Sequence, residues 1–309
     1  MDKLWHGIVT LSIVHFMAYP ACLRGEGPVV ETVQKLAEDP FFDALEIGWI
    51  KDAQARKQVQ AICEQAHVEI GHAGQPALLV QGLDLNSPDP DMRGRALAQL
   101  KASIDEAAEM GSRRVAFLSG KDPGPERRRE AKKWLLDVVL EASAYARQRG
   151  LEGLTLESFD RVVDKRALLG PSEETAAFAA EVRRDFPEFG ILYDLSHLPL
   201  LEETPAQALG QLQDYLVHAH VGNCVRVPGR PGYGDLHPRF GFPGGENDVP
   251  ELAEFLRALF DIGYLREDGN YPDGRRPWVG FEVKPQDGED SELIIANAKR
   301  VWQQAWAVC

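Results

Sequence analysis

The sequence predicts one α/β domain, a (β/α)8 TIM barrel. Three observations point there. A chain of 309 residues is of a size at which α/β barrels form one domain. Eight short apolar runs alternate with longer helical patterns along its length, which is what eight strands and their covering helices require. No G-x-G-x-x-G follows the first run, so an open doubly wound sheet of the dinucleotide-binding kind loses support.

In chain order, residues 8–16 form the first run. Thr10, Ser12 and His15 interrupt it and no small-residue cleavage site follows, so it reads as a buried strand rather than a signal peptide. A helix over 29–37, a second run at 44–47 and a helix over 53–66 come next. The third run, 68–72, closes on Gly-His-Ala-Gly, and the breaker cluster Asn-Ser-Pro-Asp-Pro predicts a loop from 75 to 91. Leu97, Leu100, Ile104 and Ala107 share helical spacing, which predicts a helix over 93–110. The fourth run, 114–118, precedes a long helix over 126–149. The fifth, 154–157, precedes a helix over 172–184, with Ser172 and Thr175 as cap candidates. The sixth, 191–194, leads to a helix over 204–212 with Pro205 in its first turn. The seventh, 216–220, opens a Gly/Pro-rich loop over 222–250, and a helix over 251–262 follows. The eighth run, 279–282, and a helix over 291–305 complete the chain.

Lys and Arg number 34 against 48 Asp and Glu, a net charge of −14, which disfavours a nucleic-acid partner. No segment carries the eighteen or so apolar residues a membrane span needs. Cys22, Cys63, Cys224 and Cys309 are too sparse for a disulfide framework and read as reduced thiols of a cytoplasmic protein. Association into a homo-oligomer is compatible with this composition.

The stretch Leu216 to Arg226 carries the first chemical signal. His218 and His220 lie two apart in a strand and share a face. Two histidines in a strand are most simply satisfied core residues, but others of ligand type end the neighbouring runs. Glu157 ends the fifth, Asp194 the sixth, His220 the seventh and Glu282 the eighth. In a barrel these ends gather on one rim. Three carboxylates and an imidazole suit one divalent ion, Mn²⁺ first, with Co²⁺, Mg²⁺ or Zn²⁺ as alternatives. Such an ion acts as a Lewis acid on a carbonyl and stabilises an enediolate, while a carboxylate removes the adjacent proton.

This pattern resembles the xylose isomerase-like TIM-barrel superfamily, which includes sugar isomerases and epimerases, endonuclease IV and inosose dehydratase. The resemblance spans the barrel, is strongest over 153–285, and is closest to the ketose 3-epimerase branch. In that branch the strand-seven histidine is followed six residues later by an arginine, as His220 is by Arg226. The resemblance implies a metal held by Glu157, Asp194, His220 and Glu282, with Glu157 and Glu282 doubling as acid and base. It implies that His197 and Arg226 hold the carbonyl end of a small-molecule sugar or sugar derivative. Two departures stand out. Val163 occupies the place of a second strand-five glutamate, with Asp160 and Asp164 nearby, and the loop after strand seven is long.

Within that loop Asp235 and His237, with His197, resemble the set that holds another metal in endonuclease IV, so a second ion or a substrate contact is expected there. His72, Gln75, Glu46 and Lys284 are further substrate-contact candidates, and His15 faces the same rim. Trp49 and Phe242 would form an apolar wall. Lys284, Arg226, Arg230 and Arg239 could bind a carboxylate or phosphate. His218 falls one layer deeper, as packing or as support for a ligand. Two other reactions fit the residues. One is a lyase, a dehydratase or a deglycosylating eliminase on a keto-sugar. The other is a phosphodiesterase of the endonuclease IV kind, which Leu118 at the end of the fourth run argues against.

Overall fold

The computed structural model describes residues 5–309. Its eight parallel strands are β1 (Thr10–Val14), β2 (Ala44–Ile47), β3 (Glu69–Ala73), β4 (Arg114–Leu118), β5 (Gly153–Glu157), β6 (Gly190–Asp194), β7 (Leu216–Gly222) and β8 (Trp278–Glu282). They pair in sequence order, and β8 pairs back onto β1, so the barrel closes. The helices are α1 (His15–Ala18), α2 (Val29–Ala37), α3 (Ala53–Ala66), α4 (Gln75–Val80), α5 (Pro90–Met110), α6 (Arg128–Gln148), α7 (Ser172–Val182), α8 (His197–Leu201), α9 (Pro205–Leu212), α10 (Val249–Asp261) and α11 (Ser291–Val308). The expected (β/α)8 architecture is the one observed.

The strands alternate between two environments. Outward residues such as Ile13, Leu45, Val115, Leu156, Ile191, Ala219 and Phe281 join the apolar layer under the helices. Trp302 of α11 is fully buried there, edge-on to Phe281 with ring centroids 5.7 Å apart. Many inward residues are small or polar, among them Ser12, Glu46, Gly71, Thr155, His218 and Gly280, beside apolar Val14, Leu118 and Leu192. A barrel interior is usually filled by branched apolar side chains. Here polar groups occupy it, so each needs a partner.

Two element boundaries differ from expectation. The stretch 75–91 is not all loop: α4 occupies its first part, and α5 starts three residues early, at Pro90. Asp89 accepts the Asp91 N–H at 3.0 Å, and Pro90 takes the first helical position, where no N–H is needed. The Asp-Pro pair thus starts a helix rather than breaking one. At α7 neither Ser172 nor Thr175 caps the backbone. Ser172 is the first helical residue, and its hydroxyl bonds Glu203 at 2.8 Å.

The long loop after β7 is fastened at its base by two buried asparagines. Asn223 Oδ1 accepts the Cys224 and Asn247 N–H groups at 2.9 and 2.8 Å, and Asn247 Nδ2 donates to Gly222 O at 2.9 Å. Asp248 then caps α10 through a reciprocal box with Glu251. No helix among the described residues is long and apolar enough to cross a membrane, and all four cysteines are free thiols.

Candidate active site

Period-two alternation brings the four predicted ligands to one place. Glu157, Asp194, His220 and Glu282 all point inward at the C-terminal ends of β5 to β8, each with 8% exposure or less. One ligand atom from each lies within 4.8 Å of the others. His220 Nδ1 is 2.8 Å from Glu282 Oε2 and 3.9 Å from both Glu157 Oε1 and Asp194 Oδ2. Glu157 Oε1 and Asp194 Oδ2 are buried with no hydrogen-bond partner among the described residues.

Buried carboxylates without partners are costly, and a cation between them removes the penalty. Ligands about 2.1 Å from one ion lie roughly 3 Å apart when adjacent and about 4.2 Å apart when opposite. The observed cluster fits an ion after a contraction of a few tenths of an ångström. Three hard oxygens and one nitrogen suit Mn²⁺, Co²⁺, Mg²⁺ or Zn²⁺.

Beneath this cluster lies a second layer. Glu46 was expected to meet a substrate hydroxyl, but both its oxygens are engaged inside the barrel. Oε1 accepts from Ser12 Oγ at 2.6 Å and lies 3.1 Å from His218 Nε2, while Oε2 is 2.8 Å from His220 Nε2. A carboxylate only accepts here, so Nε2 of His220 carries a proton and Nδ1 is the atom turned to the other ligands. Gly280 makes room for this arrangement, since a Cβ there would lie 2.2 Å from Glu46 Oε1. Burial pushes the His220 pKa down, but Glu46 and Glu282 outweigh it and raise it well above the usual range. A cation at Nδ1 would replace the proton that Nδ1 otherwise donates to Glu282 and leave the one on Nε2 in place.

The two carboxylates assigned as acid and base differ in environment. Burial, then the Glu282 charge, pushes Glu157 up to about 8. Burial acts the same way on Glu282, but His237 and the His220 hydrogen bond outweigh it and hold Glu282 down at about 2. Gln75 Nε2 fixes the other Glu157 oxygen at 2.7 Å.

The β7 loop adds a neighbouring cluster. His237 Nε2 is 3.0 Å from Asp235 Oδ1 and 3.4 Å from Glu282 Oε1, and His197 Nε2 is 3.3 Å from Asp235 Oδ1. Asp194, His197 and His237 also converge within 4.8 Å. Gly222 permits the close return of the loop, because a Cβ would sit 2.6 Å from Glu282 O and 3.0 Å from His237 Nδ1. His237 itself adopts a left-handed φ of 49°, unusual for a non-glycine residue and typical of strained functional loops. Lys165, which carries no sequence signal, reaches this cluster and sets its ammonium 3.0 Å from Asp235 Oδ2. Burial lowers both histidines, but the Asp235 charge overrides it and carries His197 up to about 10 and His237 up to about 9.

Several predicted contacts lie elsewhere. His72 pairs in register with Ile47 and Val115, two residues of the outer apolar layer, while Gly71 and Ala73 point inward. Its ring is buried with both nitrogens unpartnered among the described residues. Arg226 stays at the surface of the rim: Nη1 donates to Pro199 O at 3.2 Å, and the side chain is 47% exposed beside Glu246. His15 begins α1 and bonds Thr32 Oγ1 at 2.7 Å. Asp160 accepts the N–H groups of Val163, Asp164 and Lys165, and Asp164 pairs with Lys165, so neither takes the place that Val163 leaves. Trp49 donates to Leu23 O instead of lining the site.

A cavity of about 180 Å³ opens above Glu157, His220 and Glu282. Its wall is Val14, Phe16, Met17, Leu23, Leu79 and Val80, with Phe159 and Leu236; Trp49 and Phe242 are not among them. Lys284, two residues past Glu282, also lines it. A larger cavity of about 490 Å³ lies at the other end of the barrel and reaches Glu46 from below. The ligand-type residues gather at the smaller one, so the chemistry is placed there.

Among curated proteins the sequence has no match. Among solved structures it is similar to a D-psicose 3-epimerase from Clostridium cellulolyticum H10 with D-tagatose (19% identity, 97% and 99% of the two chains covered, TM-score 0.70). It is also similar to an L-ribulose 3-epimerase (16%, 96% and 95%, 0.68) and to a 3-keto-D-glucoside 4-epimerase from E. coli (15%, 97% and 99%, 0.63). At these identities the likeness is one of fold. The family model described as "Xylose isomerase-like TIM barrel" matches residues 34–290, most of the barrel just described. The chain belongs to the xylose isomerase-like TIM barrel family.

Proposed function

We propose that this protein is a sugar epimerase or isomerase that uses one divalent ion, Mn²⁺ first among the candidates, and acts next to a substrate carbonyl. The observation that carries the reading is the convergence of Glu157, Asp194, His220 Nδ1 and Glu282 at the strand ends, with orphaned carboxylate oxygens facing one point. When bound, the ion supplies Lewis-acid polarisation of the carbonyl. Glu157 and Glu282 move the proton. One of the two would take the proton from carbon and the other would return it. Gln75 fixes Glu157 in position, and the apolar wall limits water at the reacting carbon.

One ion rather than two is favoured by charge. Lys165 already brings a positive charge to Asp235, with its ammonium 3.0 Å from Oδ2. The second cluster therefore acts through His237, which holds Glu282 and the rim of the cavity. The solved relatives named above are epimerases, which supports epimerisation over elimination. The outward His72 and the net charge of −14 argue against cleavage of a nucleic acid. The test is substitution of both carboxylates. Glu157→Gln and Glu282→Gln should each lower turnover of a ketose by about 10²-fold or more. Retention of full turnover in the double variant would rule the mechanism out.

A further inference from the structure

Three cations of the rim and the β7 loop are paired within the protein. Lys165 is held by Asp164 and Asp235, Arg226 lies beside Glu246, and Arg239 is held by Glu289. Lys284 lines the cavity, yet its ammonium has no hydrogen bond or ion pair among the described residues. Its place is fixed: the Lys284 N–H donates to His237 O at 2.7 Å, which ties the strand end to the β7 loop. Two residues beyond Glu282, it shares that residue's inward face. Of the polar groups that also line the cavity, Glu46 and Gln75 are engaged within the barrel and Lys165 is held by Asp164 and Asp235.

We propose that Lys284 receives a carboxylate on the substrate, making the substrate a sugar acid with a keto group rather than a neutral ketose. The inference rests on the proposed epimerase reading of this site and refines its substrate class. A half-buried ammonium gains from an anionic partner through a charge-assisted hydrogen bond. One free ammonium with no arginine among the lining residues matches a single negative charge better than a phosphate dianion, which calls on several donors. The structure carries the opposite possibility too: five carboxylates, Glu46, Glu157, Asp194, Asp235 and Glu282, lie around the site, and Lys284 could only balance them. The two roles predict different results.

The experiment uses the Mn²⁺-loaded full chain with D-fructose, D-fructuronate and D-fructose 6-phosphate, followed by NMR for C–H exchange in D₂O. Wild type should process fructuronate most efficiently. Lys284→Met should lower kcat/KM for fructuronate by about 10- to 100-fold and change that for fructose by less than threefold. Lys284→Arg should restore part of the loss. An equal loss on fructose and fructuronate would assign Lys284 to charge balance and overturn the proposal, as would a preference for fructose or the phosphate. If no ketose exchanges, the epimerase reading fails separately. Calorimetry with D-gluconate and D-sorbitol then reads the lysine directly. A gluconate preference that Lys284→Met abolishes supports carboxylate recognition, and one that it leaves intact overturns it.

Discussion

Glu46 provides the sharpest perturbation of the proposed metal centre that leaves its four proposed ligands untouched. Its two oxygens serve three donors: Ser12 and His218 on Oε1, and His220 on Oε2. Glu46→Gln keeps the shape but replaces one oxygen with an NH₂ group. With its NH₂ group toward His220, a donor faces a donor and that bond is lost. The ring is then free to rotate, and Nδ1 is no longer held toward Glu157, Asp194 and Glu282. Loss of such a supporting partner typically costs 10- to 100-fold in metal affinity, or about 1.4–2.7 kcal/mol. Gly280→Ala attacks the same point from the other side, because its Cβ would stand 2.2 Å from Glu46 Oε1 and 2.9 Å from His220 Cδ2. The assay is Mn²⁺ titration by calorimetry on variants whose thermal melts show an intact fold. Both should bind Mn²⁺ at least tenfold more weakly than wild type. Affinity within twofold of wild type in Glu46→Gln would refute the claim that Glu46 positions the histidine.

Two other expectations follow from side chains that the fold turns away from the cavity. Burial lowers the His72 pKa to about 4, so as pH falls from 6.5 the unfolded chain takes up its proton first and stability drops, by about 2 kcal/mol at pH 5. His72→Leu should remove that part of the acid sensitivity in pH-dependent melts without changing turnover, and a folded but inactive variant would return His72 to the site. Arg226→Ala should leave KM and kcat within about threefold of wild type, since the guanidinium meets Pro199 O and Glu246 at an exposed position; a tenfold rise in KM would contradict this placement.

The barrel and the convergence of four rim residues were legible because both follow from local rules. Apolar runs mark strands, and the last inward residue of a strand falls on the rim. Glu157, Asp194, His220 and Glu282 obey that parity. His72 shows how narrow the rule is. It ends the third apolar run, but β3 continues to Ala73, and an offset of one residue turns the ring into the outer layer. Arg226 was misplaced for a related reason: six residues of spacing do not define direction once Asn223 and Asn247 anchor the chain in a turn. The Lys165–Asp235 pair joins residues 70 apart and has no local pattern to reveal it. Ser12 and Gly280 had a weak signal, small residues at inward positions in otherwise apolar strands. Their role appears only once Glu46 is seen between them.

The central claim is tested most directly by proton exchange at carbon. The protein is stripped with chelator, reloaded with Mn²⁺, and incubated in D₂O with a panel of ketoses, keto-glycosides and keto-sugar acids. The account predicts deuterium at the carbon beside the carbonyl of at least one compound, inversion or carbonyl transfer at that carbon, and loss of both in the stripped protein and in Glu157→Gln. Exchange that persists without the ion, or loss of water or an aglycone in its place, would contradict it.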